Sequence, residues 1–342
     1  MRLKACIDLG IKEVPVTIVD APDEKTKVEY ALADNDRVGY YEDQALAELI
    51  QSVDIDLGDF KVDIGQPLSL KDLLERFGPD TQEDTPPEVS SDPADSVRGG
   101  VYQLGPHRLM CGDATLVGDM EVLMDNAKAD LIFTDPPYNV DYEGYTDDAL
   151  KIENDKMSPD DFKALLIESF ENCNHVSKDG ASIYVCHPSS QQIVFEQCLN
   201  DAGYSVRNQI IWAKNTFAWG MGRYKYQHEP IFYCHKTGQS DVWFGDKTQS
   251  TLWQVNKPSA NKEHPTMKPI ELVAHALKNS SKAGDVVLDP FGGSGSTMMA
   301  AEQTKRVSYT MELDPKYCDV VRKRYATFIG KGDTWQQVTP QV

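Results

Sequence analysis

The tetrapeptide Asp135-Pro136-Pro137-Tyr138 stands at the end of the apolar run DLIFTD, which the pattern predicts as a buried strand. Ligands of open α/β sheets bind outside the carboxyl ends of the strands, which is where this tetrapeptide falls. Two consecutive prolines fix the backbone and remove two N–H donors, so the local carbonyls can accept hydrogen bonds. The Asp135 carboxylate and the Pro136 carbonyl suit the two hydrogens of an amino group on a planar ring, and the Tyr138 ring can stack on that ring. The alternative interpretation is a turn that ends a strand, because Asp and Pro are common in turns.

A glycine-rich segment, DPFGGSGST (289–297), lies between the predicted strand DVVLD and a predicted helix. Its glycines allow a ligand to approach the backbone closely. It is not a Walker phosphate loop, since no Gly-Lys-Ser/Thr follows. The next predicted strand, VSYTMEL, ends in Glu312, 23 residues after Asp289. An acid at the end of that strand can bind the two hydroxyls of a ribose, the alternative being a solvated acid beside a tight turn.

The segment His264-Pro265-Thr266-Met267-Lys268-Pro269 immediately precedes the predicted helix IELVAHALKN. Proline is typical of a helix start. A lone histidine with no second His or Cys at ligand spacing indicates a structural residue, so we predict no metal site. The seven cysteines form no CxxC pair, and no run of about 18 apolar residues exists, which favours a cytoplasmic protein without a membrane span.

These segments belong to a region, residues 100–330, in which strand-like and helix-like runs alternate, as is typical of an open, mostly parallel sheet. The predicted strands are RLMCGD, DLIFTD, ASIYVCH, NQIIWAK, EPIFYCHK, DVVLD and VSYTMEL. Residues 1–78 are predicted to form a small α/β or mostly helical region. Residues 79–99 are rich in Pro, Ser and acid, which predicts a flexible acidic linker. Residues 331–342 are predicted to be a loose tail.

In chain order, DPPY, HPTMKP and DPFGGSGST resemble the β-class amino-methyltransferases of DNA, in which the catalytic segment precedes the cofactor segment. The resemblance covers about residues 100–330. It implies a Rossmann-like fold with a seven-stranded, mostly parallel, circularly permuted sheet that binds S-adenosylmethionine. DVVLD, VSYTMEL, RLMCGD and DLIFTD would then be its first four strands, and NQIIWAK and EPIFYCHK its closing hairpin.

The resemblance also implies a role for each motif residue. Asp135, Pro136, Pro137 and Tyr138 would hold the target base, which must leave the duplex because its amino group is otherwise paired. Its nitrogen would then attack the sulfonium methyl directly, with no metal and no covalent enzyme intermediate. The cofactor would be held by Asp113, Thr266, Lys268, Asp289, Phe291, Gly292, Gly293, Ser294, Gly295, Ser296 and Glu312.

The distribution of charge is compatible with double-stranded DNA as the partner. The net charge is −20, but 23 of the 54 acidic residues lie in residues 1–98, whereas residues 205–236 carry five Lys or Arg and one acid. Aromatic residues interleave with these cations, a combination that grips flipped or single-stranded bases. The predicted DNA-binding residues are Arg207, Lys214, Trp219, Arg223, Tyr224, Lys225 and Tyr226, while Trp212, Phe232 and Tyr233 are assigned to the core. We predict no membrane partner, and a homodimer is one option for the assembly.

Several alternatives stay open. DPPY favours N6 of adenine, with N4 of cytosine as the rival, and related segments act on RNA or on protein glutamine. Residues 1–78 resemble part of a ParB-like domain of the kind fused to phage-borne methyltransferases, through LGIKEVPVTIVD and YALADNDRV. A non-catalytic ParB-like DNA-binding adaptor is therefore a further alternative. The candidate target-recognition segment, residues 237–263, is short and contains no arginine, which predicts short or relaxed sequence specificity.

Overall fold

The computed structural model describes residues 81–139, 157–217, 223–256 and 267–342. The ParB-like resemblance of residues 1–78 lies outside the described residues, and residues 79–342 form one compact unit. The strands of the described residues are β1 (Val101–Leu104), β2 (His107–Cys111), β3 (Ala129–Thr134), β4 (Ser177–Cys186), β5 (Tyr204–Ala213), β6 (His228–Lys236), β7 (Leu252–Gln254), β8 (Val286–Asp289) and β9 (Val307–Glu312).

These strands form a single mixed sheet in the order β1-β2-β9-β8-β3-β4-β6-β5-β7. The five central strands, β2, β9, β8, β3 and β4, are parallel to one another. β6 is inserted antiparallel between β4 and β5, so the predicted closing hairpin is confirmed. All seven predicted strands are present, and the two edge strands, β1 and β7, were not predicted.

The helices cover both faces of this sheet. They are α1 (Val117–Met124), α2 (Pro159–Val176), α3 (Gln192–Asp201), α4 (Ile270–Ser280), α5 (Ser296–Gln303), α6 (Pro315–Phe328) and α7 (Trp335–Val338). Local signals explain two of the starts: Ser158 caps α2 by accepting a hydrogen bond from the Asp161 N–H, and Asp314 caps α6 by accepting one from the Lys316 N–H. None of these described helices has the length and apolarity needed to cross a membrane.

β3 shows how the sheet separates two layers of core. Ile132 faces the layer that contains α1, α2 and α3, whereas Leu131 and Phe133 face the layer that contains α4 and α5. Each such side chain contributes about 1.5–3 kcal/mol when fully buried. A strand covered on both faces reads as a continuous apolar run, which is why DLIFTD was recognisable.

The C-terminal tail is not loose, in contrast to the prediction. Residues Gly332–Thr334 form a 3-10 turn, and α7 follows. Gln341 then bridges Tyr102 in antiparallel fashion, and the Val342 N–H donates to the Val101 carbonyl at 2.8 Å. The tail is held because β1 is an edge strand whose outer N–H and C=O groups are available for pairing.

The predicted linker also differs from expectation, because its described part, residues 81–99, lies on the domain. We call this segment the acidic strap. Asp84 pairs with Arg324, and Asp95 pairs with Arg322, both arginines being buried residues of α6. The strap has no helix or strand and few apolar residues, as expected of a free linker, but Asp84 and Asp95 are counter-ions of these arginines.

Candidate active site

The order of the sheet places four motif acids side by side. The neighbouring strands β2, β9, β8 and β3 are followed or ended at their carboxyl ends by Asp113, Glu312, Asp289 and Asp135. Adjacent strands lie about 4.8 Å apart, so the row from Asp113 to Asp135 spans roughly 14 Å. Segments far apart in the chain therefore meet at one edge of the sheet, as the resemblance implied.

The glycine-rich loop between β8 and α5 fits closely against β9. The Gly292 N–H donates to the Met311 carbonyl at 2.8 Å, and a Cβ at Gly292 would overlap the Thr310 methyl group. Gly295 caps α5 with a φ of 88°, in the left-handed region that favours glycine. The shape of the loop itself thus requires glycine at these positions.

Glu312 is fixed by the backbone at the end of β9. Its carboxylate accepts hydrogen bonds from the Gly293 N–H at 2.7 Å and from the Asp314 N–H at 2.9 Å. Burial raises the pKa of Glu312 to about 7, against the lowering effect of these two donors. Each carboxylate oxygen keeps a second lone pair, so Glu312 can still accept hydroxyl donors.

Asp289 and Asp113 make local contacts that shape their loops. Asp289 accepts the Phe291 N–H at 3.1 Å, and burial raises its pKa to about 7 although a hydrogen bond from Thr297 lowers it. Asp113 accepts the N–H of Thr115 at 2.9 Å and its hydroxyl at 2.7 Å. Both acids therefore order the turns that follow their strands.

The DPPY segment is organised around its carboxylate. Asp135 accepts the Tyr138 hydroxyl at 2.7 Å on one oxygen and the Lys268 ammonium at 2.5 Å on the other. The Tyr138 ring packs edge-on against Phe195, with centroids 6.4 Å apart, and the Lys268 nitrogen lies 5.4 Å from the centre of the Tyr138 ring. Phe195 and Lys268 thus orient the Tyr138 ring, which is the ring predicted to stack on the target.

Lys268, which the resemblance assigned to the cofactor, pairs with the carboxylate of the DPPY segment. It is buried, and besides Asp135 its ammonium lies 3.3 Å from the Glu229 carboxylate. Lys214 pairs with the same Glu229. We call Asp135, Glu229, Lys214 and Lys268 the carboxylate–lysine cluster, in which two negative and two positive groups alternate and cancel.

The pKa values of the carboxylate–lysine cluster reflect this pairing. Burial alone would raise the pKa of Glu229, but Lys268 and Lys214 outweigh it and lower this pKa to about 2. Burial would lower the pKa of Lys268, and the Asp135 and Glu229 carboxylates raise it instead. Glu229 and Lys268 are therefore charged at neutral pH.

Sequence reasoning missed Glu229 and Asn139. Glu229 was visible as the single acid of the basic stretch 205–236, at the start of a predicted strand. Asn139 directly follows DPPY and has a φ of 53°. It donates to the Met157 carbonyl at 3.2 Å and accepts the Met157 N–H at 2.7 Å, so it ties the residue after DPPY to the start of α2.

The predicted DNA-binding residues divide into two groups. Arg223, Tyr224 and Tyr226 are exposed and Lys225 is half-buried, and all four precede β6 at the edge of the sheet that carries the motifs. Tyr224 is 96% exposed, which gives it no packing role within the described structure. We call residues 223–226 the basic–aromatic rim.

Lys214 and Arg207 do not belong to the basic–aromatic rim. The Lys214 side chain is only 9% exposed and pairs with Glu229, so it is a member of the carboxylate–lysine cluster and not a phosphate contact. Arg207 is exposed but lies six residues before the end of β5, roughly 20 Å from the motif edge. The predictions for Trp219 and Thr266 lie outside the described residues.

The core assignments are confirmed. Trp212, Phe232 and Tyr233 are buried. Cys186 is fully buried in the layer around α4, and burial raises the pKa of its thiol. This cysteine is therefore held as an uncharged thiol in the core.

Comparisons with known proteins agree with this architecture. Residues 129–323 match the model of the N6 and N4 methyltransferases, described as DNA methylase. The chain is 28% identical over 230 residues to the Type II methyltransferase M.HinfI of Haemophilus influenzae, covering 58% of this chain and 63% of that relative. It is 25% identical over 251 residues to M2.MboI of Moraxella bovis, covering 65% of this chain and 90% of the relative. The chain thus spans less than two thirds of the length of M.HinfI.

Two solved structures share the fold. The M1.HpyAVI–SAM complex superimposes with a TM-score of 0.50 at 23% identity, over 63% of this chain and 97% of that one. The cytosine-N4-specific PvuII DNA methyltransferase superimposes with a TM-score of 0.54 at 16% identity, over 71% and 96%. Because the family model matches more than half of the chain and spans β3 to α6, this protein belongs to the DNA methylase family of N6 and N4 methyltransferases.

Proposed function

We propose that the protein transfers a methyl group from S-adenosylmethionine to the exocyclic N6 amino group of adenine in DNA. One observation carries the proposal. The Asp135 carboxylate, oriented by Tyr138 and Lys268, lies in the same row of strand ends as the glycine-rich loop and Glu312. Family membership and the Type II methyltransferase relatives support DNA as the substrate.

The loop and its neighbours fit S-adenosylmethionine. A Cβ at Gly293 would meet open space, and the Gly293 N–H rests on Glu312, so a ligand can approach this backbone beside an acceptor carboxylate. Glu312 would take the ribose hydroxyls, Phe291 and residues 292–296 the methionine part, and Asp113 the adenine side. When bound, this cofactor supplies an electrophilic methyl group.

The residues of DPPY prepare the acceptor nitrogen. The Asp135 carboxylate and the Pro136 carbonyl accept the two amino hydrogens, which draws the nitrogen lone pair out of conjugation with the ring. Tyr138 stacks on the base and restricts its orientation. After transfer the nitrogen carries one proton too many, and Asp135 is the carboxylate placed to accept it. Catalysis then consists of positioning and hydrogen-bond polarisation, with no bond to the enzyme.

The rim and the short recognition segment define the DNA side. Arg223 and Lys225 would contact phosphates, and the exposed Tyr224 and Tyr226 would stack on bases around the flipped nucleotide. Contacts of this kind carry little sequence information.

The described part of the candidate recognition segment supports relaxed specificity. Trp253 is buried and stacks on His275 with centroids 4.2 Å apart, and Trp243 packs against Tyr233 at 5.9 Å. Both tryptophans of the segment therefore serve packing and are not available to read bases. The protein should methylate many adenines in a short context.

A nucleoside analysis tests the proposal. Plasmid is incubated with the protein and cofactor labelled in the methyl group, and the digested nucleosides are separated by mass spectrometry. Labelled N6-methyladenine is expected, at sites that share a short motif. N4-methylcytosine would overturn the choice of base, and labelled RNA or protein with unlabelled DNA would overturn the choice of substrate. Asp135→Asn, which keeps the shape but removes the charge, should show no product.

A further inference from the structure

A buried arginine lies directly behind the cofactor loop. Arg324 is on α6, and only 1% of its side chain is exposed. One of its terminal nitrogens donates to the Ser294 carbonyl at 2.9 Å and lies 3.5 Å from the Ser296 hydroxyl. The guanidinium thus holds the part of the loop where it turns into α5.

The counter-ion of Arg324 comes from the acidic strap. The Arg324 Nε donates to both oxygens of Asp84, at 3.1 and 2.9 Å, and a terminal nitrogen donates to one of them as well. Several charge-assisted hydrogen bonds fix the plane of the guanidinium. A buried guanidinium that loses its carboxylate becomes an uncompensated charge, which is strongly unfavourable.

We propose that Asp84 and Arg324 are positioning residues for the cofactor loop, and this inference rests on the proposed function. A loop with three glycines loses much backbone entropy when a ligand orders it. The Asp84–Arg324 pair orders the Ser294 end of the loop beforehand, which lowers the cost of binding. Asp84 of the acidic strap therefore supports the cofactor loop from behind, through Arg324.

The structure contains a matched control on the same strap and the same helix. Arg322 is 2% exposed and donates to Asp95 at 2.7 Å. Its other hydrogen bonds go to Ser96 and Thr339, and Asp319 lies 3.5 Å away. The Asp95–Arg322 pair thus also joins a strap carboxylate to a buried arginine of α6, but it does not reach the loop, and Arg322 keeps Asp319 as a second carboxylate.

The test compares Asp84→Asn with Asp95→Asn in the full chain. Both variants should unfold at lower denaturant concentration than the wild type. Asp84→Asn should raise the Kd for S-adenosylmethionine, measured by calorimetry, by about tenfold, the size expected for coupled contacts, whereas Asp95→Asn should change it by less than about twofold. Turnover at saturating cofactor should be unchanged in Asp95→Asn, because Asp95 reaches neither the loop nor the DPPY segment.

A second pair of variants covers a failure of Asp84→Asn to fold. Arg324→Lys keeps the charge beside Asp84 but loses the guanidinium fork that reaches Ser294, and Arg322→Lys is its control. Equal cofactor Kd values within each pair, with a wild type that binds the cofactor, would overturn the positioning role alone. A folded wild type that binds no S-adenosylmethionine would overturn the proposed function, and this role with it.

Discussion

Glu229 holds the carboxylate–lysine cluster together, and replacing it by Gln should cost stability in a pH-dependent way. Its lowered pKa, from 4.5 to about 2, corresponds to about 3 kcal/mol at neutral pH. The side chain is 26% exposed, so most of this energy survives solvent screening. The substitution also leaves Asp135 as the remaining carboxylate of the cluster beside Lys214 and Lys268. This excess of positive charge lowers the stability further.

The sign of the pH dependence follows from the direction of the shift. Because the pKa of Glu229 is lower in the folded than in the unfolded chain, its stabilisation is complete above about pH 4.5 and is lost as the pH falls through about 2. The difference between the wild type and Glu229→Gln should therefore be full at pH 7 and less than half as large at pH 3.

Urea unfolding at these two pH values measures the effect. For a domain of this size, about 3 kcal/mol corresponds to a midpoint shift of roughly 1 M urea. The control is Glu121→Gln, since Glu121 is 60% exposed in its pair with His175 and should contribute less than about 0.5 kcal/mol. Adding Lys214→Met to Glu229→Gln should recover part of the loss by restoring charge balance. An unchanged midpoint at pH 7, or a loss of equal size at both pH values, would refute the reasoning.

Three further predictions concern the site and its boundary. Asp135→Asn should abolish methylation while cofactor affinity changes little; turnover and calorimetry measure the two, and near-normal turnover would contradict the role. Cofactor affinity should rise as the pH increases through about 7, because burial raises the pKa of Glu312 to about 7 and only the ionised carboxylate accepts both ribose hydroxyls. This pH dependence should weaken in Glu312→Gln. Identical pH profiles in the two proteins would speak against the ribose-binding role. A chain that starts at Val101 should be less stable, by at least about 3 kcal/mol, than one that starts at residue 80. The reason is that the buried Arg322 and Arg324 lose Asp95 and Asp84 of the acidic strap. Equal unfolding midpoints would show that the strap does not stabilise the domain.

The central sheet was predictable from the sequence because its strands are short apolar runs that end in Asp, Glu or Pro. The resemblance then supplied their order, which brought Asp135, Asp289 and Glu312 to one edge. The edge strand β1 was harder to predict because it is only four residues long, although its main partner, β2, follows directly in the chain.

The charged residues were harder to interpret because their partners are distant or hidden. Asp84 reads as part of a polar linker until its partner, Arg324, is known to lie 240 residues later on a packed helix. Lys214 among aromatic residues reads as a phosphate contact, but the β5–β6 hairpin brings it to Glu229. Composition reports the number of charges in a segment and not which of them neutralise each other.

The neutrality of the carboxylate–lysine cluster has a consequence for how a polyanion approaches. Two ammonium groups and two carboxylates in contact produce an electrostatic field that decays within a short distance. The carboxylate–lysine cluster therefore neither attracts nor repels a distant phosphate backbone. Among the described residues at this end of the strands, the basic–aromatic rim, where Arg223 is exposed, would then supply long-range attraction. The ionic-strength dependence of DNA association would accordingly report on the rim, and the methyl-transfer step after docking would be largely insensitive to salt.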